Sequence, residues 1–208
     1  MYGGMTPDAT VPDDELLIRL RSGDEEAFLA LYRRRQGSIY RFALHMSGSV
    51  SLAEDVTQEV FMTLMRDDCR FDPERGTLSG YLFGIARKLV LRQLERGRKD
   101  VAIENESDES ILEALAVTAD PVADLTRKET IEALRRAVTA LPRRYREVVV
   151  LCDLEEMDYV DAANVLGCPI GTVRSRLHRA RALLMEKLTL GRNPRPSIST
   201  LKPARSLI

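Results

Sequence analysis

The sequence predicts an all-α protein: two small helical domains joined by an acidic, flexible linker. Three observations predict it. Leu, Ala, Arg and Glu dominate while Trp is absent and aromatics make up 5% of the 208 residues, which favours helices over sheets. Apolar residues recur at the helical period in two separate blocks. Between the blocks, residues 100–126 hold eight acidic residues and no basic one, a composition that suits a solvated connector. The expected division is a disordered N-terminus at 1–12, a first domain at 13–99, the linker at 100–127, a second domain at 128–188 and a disordered basic tail at 189–208.

In the first block, Asp13 to Ser22 places Leu16, Leu17 and Leu20 on one side. Ser22-Gly-Asp24 then stops that helix and caps the next, Asp24 to Met46, whose apolar positions include Phe28, Leu31, Ile39 and Phe42. Ser51 followed by Glu54 has the spacing of a capping box. The helix it opens aligns Ala53, Val56, Val60 and Leu64 in one stripe. Phe71-Asp-Pro-Glu-Arg-Gly76 breaks the pattern. A fourth helix, Thr77 to Glu95, turns Leu78, Leu82, Ile85, Leu89 and Gln93 inward.

The linker contains a short expected helix at Glu109 to Val117. The second block reads as Glu129 to Ala140, Pro142 to Leu154, Tyr159 to Leu166 and Pro169 to Leu188. Asp158 caps the third of these and Gly167 suits its left-handed C′ position. Pro169 suits the first turn of the last. Two helices across a short turn containing Gly fit the helix-turn-helix pattern.

The composition also excludes several classes. Net charge is −1, with 31 Lys+Arg against 32 Asp+Glu, which as a total announces no nucleic-acid binder. No apolar run is long enough to cross a membrane, and the acidic start from Met1 to Glu15 lacks the features of a secretory signal, so a cytoplasmic protein is expected. Cys69, Cys152 and Cys168 are widely spaced, and His45 and His178 have no nearby ligand partner, so neither a disulfide framework nor a metal site is expected. There is no Walker loop, Rossmann glycine fingerprint or nucleophile elbow. Adjacent carboxylates such as Asp13-Asp14 and Asp67-Asp68 do not share a helix face. A non-enzymatic protein without cofactor or small-molecule substrate is expected.

Resolved along the chain, the charge tells more than its sum. Residues 16–99 carry 15 basic and 11 acidic side chains, and residues 189–208 carry four basic and no acidic ones. The last long helix is the sharpest case. With Val173, Leu177, Ala180, Leu184 and Leu188 forming an inward stripe, Arg174, Ser175, His178 and Arg179 fall on the opposite side, with Arg176 and Arg181 on the flanks. On an isolated helix such a face is ordinarily just solvated. On the second helix of a turn containing Gly it has what major-groove docking requires: guanidinium forks for guanine edges and phosphates, and Thr172 with free N–H groups at the helix start.

The other faces are less self-explanatory. Asp55, Gln58, Glu59 and Met62 share a polar face of the third helix, which periodicity alone leaves as ordinary surface. Arg87, Lys88, Arg92, Arg96, Arg98 and Lys99 are dense enough for phosphate contacts. Phe71, Tyr81 and Phe83 nearby are of the type that stacks on unpaired bases, though each is more often a core residue.

Five strings, in order, resemble the sigma-70 family of bacterial RNA polymerase sigma factors, in its extracytoplasmic function (ECF) group. They are Gly23-Asp-Glu-Glu-Ala-Phe28, Ala53-Glu-Asp-Val-Thr-Gln-Glu-Val-Phe61, Tyr81-Leu-Phe-Gly-Ile-Ala-Arg87, Leu141-Pro-Arg-Arg-Tyr-Arg-Glu-Val148 and Gly171-Thr-Val-Arg-Ser-Arg-Leu-His-Arg-Ala-Arg181. The resemblance implies that the first block is a region 2 helical bundle and the second a region 4 helix-turn-helix. It implies partners: core RNA polymerase through its β′ clamp helices and β subunit, promoter DNA, and an anti-sigma factor, with no membrane insertion. Asp55, Gln58, Glu59 and Met62 would meet the clamp helices. Phe71, Tyr81, Arg87, Lys88 and Arg92 would engage the −10 element, and Thr172, Arg174, Ser175, His178 and Arg179 the −35 element. The acidic linker would thread toward the RNA exit channel. The chain departs from the family pattern at Met65 and Tyr81, where Trp is frequent, and at Lys88, where Asn is frequent, so a −10 base preference does not transfer. The alternative is a conventional dimeric helix-turn-helix regulator that binds DNA without polymerase.

Overall fold

A computed structural model of the chain describes residues 11–66, 71–101 and 121–192, and among them the regular structure is entirely helical. The first block holds α1 (Asp13–Arg21), α2 (Glu25–Ser47), α3 (Val50–Met65), a 3-10 turn at Pro73–Arg75 and α4 (Leu78–Val101). The second holds α5 (Pro121–Thr139), α6 (Arg143–Val149), a π turn at Val150–Leu154, α7 (Tyr159–Leu166) and α8 (Ile170–Arg192).

The long α2 is the spine of the first block and packs on α1, α3 and α4. Asp24 opens it, its carboxylate accepting from the N–H groups of Glu26 (3.0 Å) and Ala27 (3.2 Å), and Gly48 closes it at φ 76°. The Arg19 guanidinium beside Asp24, with those backbone donors, holds the Asp24 carboxyl below its ordinary range. Leu16, Leu31, Ile39, Phe42, Val60 and Leu82 lie at 1% exposure or less in the core beneath. Phe42 meets Phe83 edge-on at 5.4 Å between ring centroids.

Two expectations for this block need correction. The cap of α3 is Ser49, whose Oγ accepts from the Leu52 N–H at 3.3 Å. Ser51 lies inside the first turn, so it forms no capping box with Glu54. Ser49 wins because its backbone is extended, at φ −112°, which aims the side chain back at the free N–H groups. On α4 the buried residues are Leu78, Leu82, Phe83, Ala86 and Val90, while Ile85, Leu89 and Gln93 are only partly covered. The helix packs on α2 and α3 from one side and on α7 from another, so its buried face is wider than a single stripe.

In the second block the apolar stripe of α8 falls as the period required, with Val173, Leu177, Ala180 and Leu184 buried against α6 and α7. Asp158 caps α7, accepting from Val160 and Asp161 N–H groups at 2.8 Å each. Gly167 takes the left-handed conformation at φ 63° and ends it. The helix expected from Glu129 begins at Pro121, which suits a helix start because Pro has no N–H to leave unpaired. The backbone of residues 121–127 is therefore helical. The expected helix at Glu109 to Val117, the tails at 1–10 and 193–208, and Cys69 lie outside the described residues.

The two blocks touch. α7 packs on α4, and α2 packs on α5, α6 and the π turn.

Candidate nucleic-acid interface

Thr172 is half-buried at the start of α8, and Arg174, Ser175, His178 and Arg179 are exposed side by side on its outer face. Neighbouring elements hold several of these side chains in place. The Arg174 guanidinium stands 6.0 Å from the Tyr159 ring centroid, on α7. Arg179 is beside the buried Tyr145, on α6, and its positive charge and donors, aided by Arg144, lower the phenol's pKa from its ordinary value. Ser175 Oγ donates to the Thr172 carbonyl at 3.1 Å. Arg181, on the flank, is clamped by Asp153 at 2.6 and 3.1 Å, which raises its pKa further. Sequence reasoning missed Tyr145, Tyr159 and Asp153, because their roles depend on contacts between helices that periodicity does not encode. The aromatic after Pro-Arg-Arg in the fourth string was the available signal.

The residues assigned to the −10 element are not brought together as one patch. Phe71, Tyr81 and Lys88 line one cavity with Asp72, Arg75 and Thr77. Phe71 is 7% exposed, its ring 5.6 Å from that of Tyr81. Arg87 points elsewhere, donating to Glu147 of α6 at 3.2 and 3.5 Å. Arg92 faces α3 and lines an open groove with Asp55, Gln58, Glu59 and Met62, so all four residues assigned to the clamp contact meet in one place. Met62 is 44% exposed there, and Glu59 pairs with Arg66 at 3.2 Å.

Chemically, the exposed guanidiniums and hydroxyls of the α8 face are donors suited to binding phosphates and base edges. Among the described residues no cluster of His, Cys, Asp and Glu is arranged to hold a metal ion, and no helix is long and apolar enough to cross a membrane. Burial and neighbouring Asp153 push the Cys152 thiol up to about 11, so it is an inert half-buried side chain at neutral pH.

A helix-turn-helix with a stiffened basic face, mounted beside a second helical bundle with its own polar groove, defines a two-module DNA-binding protein. The comparisons with known proteins make that class specific. Residues 31–100 match Sigma-70 region 2 and residues 131–184 match Sigma-70, region 4. The chain is 31% identical to the RNA polymerase sigma-H factor of Pseudomonas aeruginosa over 183 residues, covering 85% of this chain and 93% of that one. It is 28% identical to the ECF RNA polymerase sigma factor SigW of Bacillus subtilis over 175 residues, covering 82% and 93%. Among solved structures, the sigma factor RpoE of Bartonella quintana, in complex with the anti-sigma factor NepR, aligns with a TM-score of 0.56. It is 26% identical and covers 85% of this chain and 93% of that chain.

The chain belongs to the ECF group of the sigma-70 family. It is a sigma factor: it binds core RNA polymerase, directs it to promoter DNA and performs no covalent chemistry of its own.

Proposed function

We propose that this sigma factor divides promoter reading between its two domains. Region 4 reads the −35 element in the major groove through Arg174, Ser175, His178 and Arg179, with Thr172 and the start of α8 on a phosphate. Region 2 captures the −10 element with Phe71, Tyr81, Arg87 and Lys88, and seats the β′ clamp helices in the groove of Asp55, Gln58, Glu59 and Met62. Arg92, which shares that groove, is reassigned from the −10 element to the polymerase contact.

The observation that carries this reading is the outer face of α8, where Arg174, Ser175, His178 and Arg179 are exposed side by side and the Arg174 guanidinium stands over Tyr159. A guanidinium held before DNA arrives loses less freedom on binding, which favours recognition over mere solubility. The conventional dimeric regulator is not favoured, because relatives matched over most of their length are polymerase sigma factors.

The chain works in the cytoplasm with the polymerase. By likeness to the relative solved with its anti-sigma factor, a protein of that kind holds it inactive. Pull-down with core polymerase, then run-off transcription from a randomised promoter library, tests the reading. Core binding with enrichment of paired −35 and −10 sequences is expected. A chain that retains no core enzyme refutes it.

A further inference from the structure

An ion pair stands at the edge of the α8 face. Arg181 Nη2 and Nε donate to the two oxygens of Asp153, at 2.6 and 3.1 Å, so guanidinium fork and carboxylate lie side by side. The pair is on the surface: the Arg181 side chain is 57% exposed and that of Asp153 26%. Among the described residues it is the one ion pair that α8 makes. Asp153 belongs to the π turn at Val150–Leu154, between α6 and α7, so the carboxylate reaches α8 from a neighbouring element.

Arg181 follows Arg174 by two turns of α8, about 10 Å along its axis. Both adjoin Tyr159. The Arg174 guanidinium stands 6.0 Å from its ring centroid, and the Arg181 pKa is raised by Asp153 first and by the Tyr159 phenol after it. At about 100° per residue, Arg181 lies roughly 90° round the helix from the middle of the face formed by Arg174, Ser175, His178 and Arg179. A helix with its side chains is about 10–12 Å across and the major groove about 12 Å wide, so a residue at right angles to the reading direction meets the groove wall, which is phosphate.

By position Arg181 is thus a backbone contact, whereas its electrostatics oppose one. A guanidinium gains from a phosphate by neutralising it and releasing a counterion. Paired fork to fork with a carboxylate, it brings no net charge to the backbone, and a phosphate approaching its remaining N–H groups also meets Asp153.

We propose that Asp153 limits the affinity of the −35 contact: it holds Arg181 in a neutral pair and withholds one phosphate contact from α8, so that a larger share of promoter binding depends on the bases. The inference rests on the −35 reading of α8 given above. Because the pair is exposed, one substitution removes it at little cost to the fold.

Holoenzymes assembled from core polymerase and the full chain test this, with Asp153→Asn, Arg181→Gln, the double variant and Asp153→Glu beside wild type, and Arg179→Ala as the control for the −35 reading. Gel shift is run on a promoter duplex from the run-off selection and on the same duplex with a scrambled −35 element, between about 50 and 200 mM salt.

Asp153→Asn should tighten binding to both duplexes alike, and its gain over wild type should shrink about threefold across that salt range, as one added phosphate contact requires. Arg181→Gln alone should change affinity by less than about twofold. In the Arg181→Gln background the gain from Asp153→Asn should vanish, and Asp153→Glu, which keeps the charge, should match wild type. Weaker binding by Asp153→Asn would make Asp153 a positioning residue that aims Arg181 at a phosphate, and overturns the proposal. So does a gain that persists without Arg181, because it would come from removing a negative charge alone. If Arg179→Ala binds as tightly as wild type, the −35 reading falls and the proposal with it; a loss there with no gain in Asp153→Asn overturns the proposal alone.

Discussion

Two glycines four residues apart in the helix-turn-helix should respond to alanine in opposite directions. A Cβ built on either Gly167 or Gly171 meets no atom within 4 Å, so side-chain space is not the issue at either site. Backbone conformation is. Gly167 sits at φ 63° and ψ 41°, where an L-residue costs about 1–2 kcal/mol. Gly171 lies in the first turn of α8 with ordinary helical geometry, where Gly is worse than Ala by roughly 0.5–1 kcal/mol. Gly167→Ala should therefore lower unfolding free energy by about 1–2 kcal/mol, Gly167→Asn by less because Asn tolerates the left-handed region, and Gly171→Ala should raise it by up to about 1 kcal/mol. Urea denaturation followed by circular dichroism measures all three. An Asn variant as unstable as the Ala variant, or a destabilising Gly171→Ala, would refute the argument from backbone conformation. Function should split differently: Gly171→Ala adds a methyl where the start of α8 is to approach a phosphate, so promoter binding should weaken even as stability rises.

Arg179→Ala should weaken −35 recognition by about 1–3 kcal/mol without reducing core binding. Tyr145→Phe should produce a smaller loss that disappears in the Arg179→Ala background, measured by gel shift of the holoenzyme on a selected promoter; equal losses in both backgrounds would remove Tyr145 from the positioning role. Asp55→Ala with Glu59→Ala should do the reverse of Arg179→Ala, impairing core pull-down while sparing −35 binding by region 4. His45 is held neutral by burial, and secondarily by Arg135 and Arg41, its pKa pushed down to about 4. A proton then binds the unfolded chain preferentially between about pH 6.5 and 4, so stability falls as pH drops through that window, on the order of 3 kcal/mol at its lower end. His45→Gln should flatten that part of the urea-denaturation profile.

The faces of α3 and α8 were legible because each helix buries one stripe against its own domain, and the period then fixes what lies opposite. Asp24, Asp158 and Gly167 were legible because caps are local: a carboxylate reaches N–H groups two or three residues away, and a left-handed turn needs no distant partner. What escaped was non-local. Ser49 and Ser51 are equally good caps by identity, and only the extended backbone at Ser49 separates them. The inward face of α4 was misplaced because α7, about 80 residues later, covers part of it.

Arg87 shows the limit most sharply. It belongs to a basic run that reads as a phosphate-binding face, yet its guanidinium is given to Glu147, 60 residues away in a string that periodicity places in another domain. Residues 100–126 do segregate acidic from basic charge along the chain. The carboxylates that meet the basic face in the folded protein lie elsewhere, at Glu147, Glu155 and Asp161. Charge along the sequence locates which surfaces favour nucleic acid, whereas charge in the fold decides which of them are open to it.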